Sequence, residues 1–264
     1  MAWLRRHLVI IVGLLVMLYI LAPNFVVIAF SFNNPAGRFN YQWNQFSFDA
    51  WTNVCGVPGM CDSLGLSLQI GIIASLTAAV LGTMVAFALG RYRFRARAGT
   101  NLLIFLPMAT PEVVMGSSLL TLFIAMGIPT GRTTILIAHI MFCLSFVIVT
   151  VKARVASLDP RLEQAASDLY ANEVQTFLKV TFPLVAPGIA AGTLLAFSLS
   201  FDDFIITNFN ASPSSVTFPM YVWGAAQRGT PVQINVIGTI MFLGALAIVV
   251  IGQVLNSRRS RQIV

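Results

Sequence analysis

The sequence predicts an all-α integral membrane protein with six transmembrane helices and both termini in the cytoplasm. Composition is the first observation behind this. Of 264 residues, 57% are hydrophobic and 9% are charged, against about a quarter charged in an ordinary soluble domain. The second is spacing: the apolar residues gather into six stretches, 8–30, 64–89, 102–126, 134–151, 188–209 and 236–255, each near the ~20 residues that cross a hydrocarbon core. The third is the placement of the 16 Lys and Arg residues. Arg5, Arg6, Arg91, Arg93, Arg95, Arg97, Lys152, Arg154, Arg161, Lys179, Arg258, Arg259 and Arg261 fall on one side of this topology, and only Arg38, Arg132 and Arg228 on the other. Cytoplasmic loops carry the excess of basic residues, which sets the orientation. The net charge of +7 is therefore a topological feature and does not indicate a nucleic-acid partner.

The first stretch follows Arg5, Arg6 and His7 in the manner of a secretory signal. It is longer than the roughly 7–15 apolar residues of a signal core, and no small-residue cleavage site follows, so it reads as a membrane anchor. The outer segment 32–63 carries Phe39, Tyr41, Trp43, Phe46, Phe48 and Trp51. Such side chains suit a membrane-interface belt and a protein contact alike. Cys55 and Cys61 stand in it as CGVPGMC. An oxidising exterior permits a disulfide between them; two free thiols are the alternative, and the absence of a His from the segment argues against a metal site. The second stretch leads into RYRFRARA at 91–98, a basic inner loop that determines topology and contacts lipid headgroups.

The third stretch is interrupted, because Pro107 and Pro111 each remove a backbone donor and disfavour helix in the preceding residue. Thr110 is the expected cap of a new half-helix, with Pro111 at its first position and Glu112 at its second. His139 and Cys143 in the fourth stretch read as packing residues, His139 hydrogen-bonded. The fifth opens on Pro187-Gly188-Ile189-Ala190-Ala191-Gly192, a small-residue spacing that suits close helix packing. In the outer segment 210–233, Phe218-Pro219-Met220-Tyr221-Val222-Trp223 has the character of a short re-entrant or interfacial helix. Residues 1–264 read as one membrane domain containing a cytoplasmic loop at 152–185.

No GxxxxGK[ST] phosphate loop occurs, so the chain is not expected to hydrolyse ATP itself. No Ser–His–Asp set or metal-ligand spacing stands out either. The acids carry more information. Glu112, Asp202 and Asp203 lie inside the apolar stretches, where no Lys or Arg does. A charge near the bilayer centre costs at least about 2.5–3.5 kcal/mol. Protonation, hydrogen bonds to Ser198, Ser200, Thr207 or helix N-termini, or a cationic cargo in a wet pathway are the three ways to offset it. Neighbours on a helix point about 100° apart, so one aspartate can line a pathway while the other binds nearby backbone. For Glu112 the favourable dipole of a helix N-terminus is the structural alternative. Phe201, Phe204, Tyr221 and Trp223 offer cation–π faces to an amine.

The most patterned polar interval is 157–188, SLDPRLEQAASDLYANEVQTFLKVTFPLVAPG. Asp159 and Pro160 form a helix start, after which Leu162, Ala165, Ala166 and Leu169 share a small apolar face. Asn172 caps a second helical segment with Val174, Phe177, Leu178 and Val180. Pro183 and Pro187 are expected to interrupt the chain before it re-enters the membrane. This interval resembles the EAA loop of bacterial ABC importer permeases, whose pattern is Glu-Ala-Ala, a Gly four residues on, and an aliphatic-x-Leu-Pro close. The corresponding residues here are Gln164-Ala165-Ala166, Tyr170 and Val180-Thr181-Phe182-Pro183. Gln164 replaces the family Glu, with Glu163 beside it, and Tyr170 replaces the family Gly. The segments LSFDDFIITNF at 199–209, PMATPEVVMGSSLL at 107–120 and TFPMYVWGAAQRGTPVQINVIGTI at 217–240 are similar to spermidine/putrescine permeases of the PotB/PotC type, nearer to PotC.

The resemblance implies a type I ABC importer permease with the MetI-like fold. It implies four kinds of partner: a second permease of the PotB kind, two PotA-like ATPases that hold the ATP and Mg this chain does not, a PotD-like external binding protein, and membrane lipid. Glu163, Gln164, Ala165, Ala166, Asp168, Tyr170 and Pro183 would couple to the ATPases. Asp202, Asp203, Glu112, Phe201, Phe204, Tyr221 and Trp223 would form the polyamine pathway. Two other classes fit the acids, an ion-coupled secondary transporter or channel and an ABC permease for another cation such as ferric iron or an organic amine. The 157–188 loop argues against the first.

Overall fold

Apolar length and proline placement decide where the helices of this chain start, bend and stop. The structure is a computed structural model that describes residues 2–92 and 94–261, with side chains described for 7–92 and 94–252. The expected positions of Arg5, Arg6, Arg93, Arg258, Arg259 and Arg261 thus lie outside the described side chains. The helices are α1 (Ala2–Phe30), α2 (Asp49–Thr52), α3 (Met60–Arg91), α4 (Arg97–Ala109), α5 (Glu112–Ala125), α6 (Arg132–Ala156), α7 (Arg161–Asp168), α8 (Glu173–Thr176), α9 (Phe182–Asp202), α10 (Ile205–Asn210), α11 (Phe218–Arg228) and α12 (Val232–Arg261). Five helical runs are long and apolar enough to cross a membrane, within α1, α3, α6, Glu173–Asp202 and α12; α4 and α5, bent by 106° at their junction, are long and apolar enough only when taken together.

The α4–α5 bend has a local cause. Pro111 forces Thr110 out of the helical region, to φ −80°, ψ 131°, as a residue before proline prefers. Thr110 does not cap α5, contrary to expectation. Its hydroxyl donates back to the Leu106 carbonyl at 2.7 Å and closes α4, and Glu112 becomes the first residue of α5. Pro107 stays inside α4.

The fifth span also differs from its predicted bounds. Pro183 and Pro187 do not interrupt it, and helix runs from Glu173 to Asp202. A π-turn at Phe177–Thr181 precedes Pro183, and the Phe182 amide reaches back five residues to the Phe177 carbonyl. That wider turn shifts the bonding register just where Pro183 has no N–H to give. The far end comes earlier than predicted, since the helix breaks at Asp203 instead of continuing to Phe209.

The chain forms two compact units, residues 1–61 with 222–264 and residues 62–221. In the first, α1 and α2 pack on α12, with Ala50, Val232 and Val236 buried. The outer segment is knitted by amides. Asn33 donates to Asn40 Oδ1 at 2.7 Å and to the Gln42 carbonyl at 2.8 Å, and accepts from the Asn44 amide at 2.8 Å. This holds a two-rung antiparallel ladder, β1 (Asn33–Asn34) against β2 (Gln45–Phe46), pairing Asn33 with Phe46. It is the one strand pair described in an otherwise helical chain. Phe32 stacks between Phe46 and Trp51. Cys55 and Cys61 are disulfide-bonded, their Cα atoms 5.5 Å apart.

In the second unit α6 packs along α9. A Cβ on Gly188 would come within 2.7 Å of Arg154 Cβ, and one on Gly192 within 3.5 Å of Thr150 Cβ. The small-residue start of the span therefore permits the close approach. The buried core includes Phe142, Cys143, Val147, Val151, Val185, Ala196 and Ile206, and Cys143 Sγ donates to the Ala196 carbonyl at 3.3 Å.

Candidate functional site

Two helix breaks meet in the second unit. α10 lies against α5, and the approach is close at Gly116, where a Cβ would sit 2.9 Å from Phe209 Cδ2 and 3.3 Å from Ile206 Cα. Asn210 donates its Nδ2 to the Ile206 carbonyl at 2.8 Å and reaches the Gly116 carbonyl at 3.4 Å. This docking sets the start of α5 beside the end of α9. Glu112 consequently lies within electrostatic range of both Asp202 and Asp203.

The two aspartates part company at the break. Asp203 takes extended backbone, φ −64° and ψ 123°, and its carboxylate accepts from the Ile206 amide at 3.2 Å, the Thr207 amide at 2.8 Å and the Thr207 hydroxyl at 2.9 Å. An aspartate that binds the amides ahead of it offers the backbone an alternative to continued helix. Asp203 is 8% exposed, and these bonds make it the cap of α10. Asp202 is exposed at the last position of α9. A helix C-terminus disfavours a carboxylate, so the fold gives Asp202 no dipole compensation, whereas Glu112, exposed at the first position of α5, is compensated.

His139 ties this break to α6. Its Nδ1 is 2.7 Å from Ser200 Oγ, its Nε2 is 2.9 Å from Thr207 Oγ1 and 3.3 Å from Asp203 Oδ2, and the residue is 1% exposed. One arrangement satisfies the set: Ser200 donates to Nδ1, Nε2–H donates to Thr207, and the Thr207 hydroxyl donates to Asp203. Thr207 is the expected hydroxyl that reaches an acid; Ser200 bonds His139 instead, and His139 was not foreseeable because it comes from a different span. Ser198 instead donates to its own helix, at the Leu194 carbonyl.

Among the aromatic candidates, Phe201 packs on Phe197 and Phe218, with ring centroids 5.9 and 6.4 Å away. Phe204 occupies the break itself. Tyr221 is half-buried and Trp223 exposed on α11. No group of three or more His, Cys, Asp or Glu residues suited to a metal ion occurs among the described residues.

The second constellation is the loop between α6 and α9. Asp159 accepts from the Arg161 amide at 2.9 Å, starting α7 one residue later than the sequence suggests. Asn172 and Gln175 cap α8 reciprocally, at 2.8 and 3.1 Å, a capping box. Leu162, Gln164, Ala165, Asp168, Leu169 and Tyr170 are exposed, with Leu169 at 82% and Tyr170 at 97%, and Pro183 is exposed as well. Ala166 is half-buried. Glu163, one of the expected coupling residues, is half-buried. It forms a two-pronged ion pair with Arg91 at 2.9 and 2.6 Å and accepts from the Thr181 hydroxyl at 2.7 Å. A cavity of about 760 Å³ opens beside it, lined by Phe87, Arg91, Glu163, Asn172 and Phe177 among others.

Tyr170, standing where the resembled loops have Gly, has φ +60°. The left-handed region costs a residue with a Cβ about 1–2 kcal/mol. Tyr170→Gly should therefore steady the α7–α8 turn by about 1 kcal/mol, read as slower amide exchange at 165–176. An unchanged exchange rate would show that the turn carries no strain.

Apolar spans, a polar break inside them and an exposed, capped loop between two of them define an integral membrane protein. The chain belongs to the family of binding-protein-dependent transport system inner membrane components, whose model matches residues 78–262. It is a multi-pass inner-membrane permease subunit of an ABC importer and not an enzyme. It is 32% identical over 242 residues to the spermidine/putrescine transport system permease protein PotC of Haemophilus influenzae, covering 92% of this chain and 93% of that one. It is 33% identical to PotC of Escherichia coli K12, covering 92% and 91%. It is 36% identical over 247 residues to that organism's putrescine transport system permease protein PotI, covering 91% and 87%. In fold it matches a bacterial ABC transporter involved in import of the acidic polysaccharide alginate, at TM-score 0.66 and 20% identity over 96% of each chain.

Proposed function

We propose that this chain forms part of the path by which polyamines such as spermidine and putrescine enter the cell. The observation that carries the reading is the pair of exposed carboxylates, Asp202 and Glu112, set at two helix breaks within electrostatic range of each other, with no ion-pair partner among the described residues. A polyamine presents ammonium groups spaced along a methylene chain, and such a ligand suits separated carboxylates beside Phe201. The fold does not choose the cargo, since a neighbour in fold handles an acidic polysaccharide. The names of the sequence relatives favour polyamines.

A binding-protein-dependent ABC permease works with ATPases, a binding protein and a second permease. In the proposed assembly the second permease is a different, PotB-like chain, the ATPases are PotA-like and the binding protein is PotD-like. The ATPases hold ATP and Mg. Their closure would move α7 and α8, open the spans outward and accept the polyamine, and relaxation would release it inward. The exposed Leu162, Leu169 and Tyr170 supply apolar area for the ATPase contact.

ATP-dependent uptake of labelled spermidine and putrescine by proteoliposomes containing the co-purified complex tests this. Uptake that needs both ATP and the binding protein is the expected result. An active ATPase without polyamine uptake would send the cargo to another class of cation.

A further inference from the structure

Glu163 is the point where the cytoplasmic loop is fastened to the membrane part of its own chain. It stands in the first turn of α7 and its carboxylate has two destinations. Both guanidinium nitrogens of Arg91, the last residue of α3, reach it at 2.9 and 2.6 Å. The hydroxyl of Thr181 donates to it at 2.7 Å, and Thr181, 4% exposed, closes the π-turn that leads into α9. The Arg91 and Glu163 side chains are 26% and 33% exposed, so the pair is partly shielded from water. A two-pronged guanidinium–carboxylate pair resists rotation as well as separation. By contrast, Leu162 on α7 and Leu169 just beyond its end are exposed.

We infer that Arg91, Glu163 and Thr181 form a strut through which a displacement of α7 drives α3 and α9 together. The π-turn is the element such a strut would act on. Its i to i+5 bonding is an irregular register, and pulling on Thr181 acts at its last residue. Glu163 and Arg91 are positioning residues in this scheme and touch neither cargo nor nucleotide. The inference rests on the reading that α7 docks an ATPase. It does not depend on which cargo is carried.

The test uses the whole complex and two readouts. The first is ATP hydrolysis without binding protein or cargo, in wild type, Arg91→Ala, Glu163→Gln and the exchanged pair Arg91→Glu with Glu163→Arg. A strut restrains the resting ATPases by tying α7 to the spans. Each single variant should thus raise cargo-free hydrolysis several-fold while the subunits still co-purify, and the exchanged pair should return it at least halfway to wild type. The second readout, polyamine imported per ATP consumed, should fall several-fold in the single variants and recover in the exchange. Thr181→Val, which removes only the hydroxyl, should show the same direction more weakly. Wild-type hydrolysis in the single variants, loss of co-purification, or an exchanged pair as uncoupled as either single change would overturn the strut. If polyamine is not the cargo, wild type itself fails the second readout, and the first still decides.

Discussion

Asp202→Asn should lower polyamine uptake about tenfold without lowering the melting temperature of the complex. One charge-assisted contact to an ammonium contributes on the order of 1.5 kcal/mol, and about 1.4 kcal/mol is a factor of ten. The stability half of the prediction follows from where the residue sits. Asp202 ends α9, where the helix dipole opposes a carboxylate, and it lies within electrostatic range of Glu112 and close to Asp203. Neutralising it relieves both repulsions, and Asn keeps a side-chain oxygen for the backbone hydrogen bond that the carboxylate accepts. Glu112→Gln should lower uptake similarly and cost a few tenths of a kcal/mol, because Glu112 gives up a favourable helix N-terminus. The double variant should fall to about a hundredth of wild type if the two contacts form independently, and less steeply if they share one ammonium. Wild-type uptake by Asp202→Asn would take that residue out of the pathway.

The adjacent aspartate should behave in the opposite way. Asp203→Ala should destabilise the chain by about 3 kcal/mol, since it strips the cap from α10 and leaves His139 and Thr207 without a buried partner. His139→Ala should cost about 2 kcal/mol through the lost bonds to Ser200 and Thr207 and the cavity left behind. Because both side chains belong to one network, the double variant should cost less than the sum, with a coupling above about 1 kcal/mol. Thermal unfolding in detergent of the two single variants and the double variant measures this. Additive losses would mean that His139 and Asp203 act separately. The contrast between Asp202 and Asp203 is the sharper check: loss of uptake without loss of stability at one position, loss of stability at the next.

Much of this architecture was legible because a bilayer leaves a chain few options. Each backbone amide must be bonded within the apolar layer, so long apolar runs can only be helices, and their number and side follow from length and Lys/Arg placement. The Asn172 capping box and the break at Pro111 are likewise local chemistry. Pro183 and Pro187 lie within continuous helix, against the expectation from sequence, for a physical reason. A π-turn absorbs a missing donor, and whether a helix breaks or widens depends on what packs against it, here α6 through Gly188 and Gly192.

The acids show the same division. Their presence inside the spans, and the rule that two neighbours cannot face one way, could be read from the sequence alone. Which aspartate is spent on the backbone could not, because the decision is made by His139 on α6, more than sixty positions away, and by the docking of α10 on Gly116. Glu163 is a parallel case: its place in the polar loop is legible, and only packing turns it toward Arg91. The sequence by itself determined the membrane class, the spans, their orientation and the patterned loop, since these depend on apolar length, charge placement and caps within a few residues. Tertiary structure alone decided which carboxylates stay exposed and which are bound into the fold. A buried charge is stable only beside specific donors, and those donors come from distant helices.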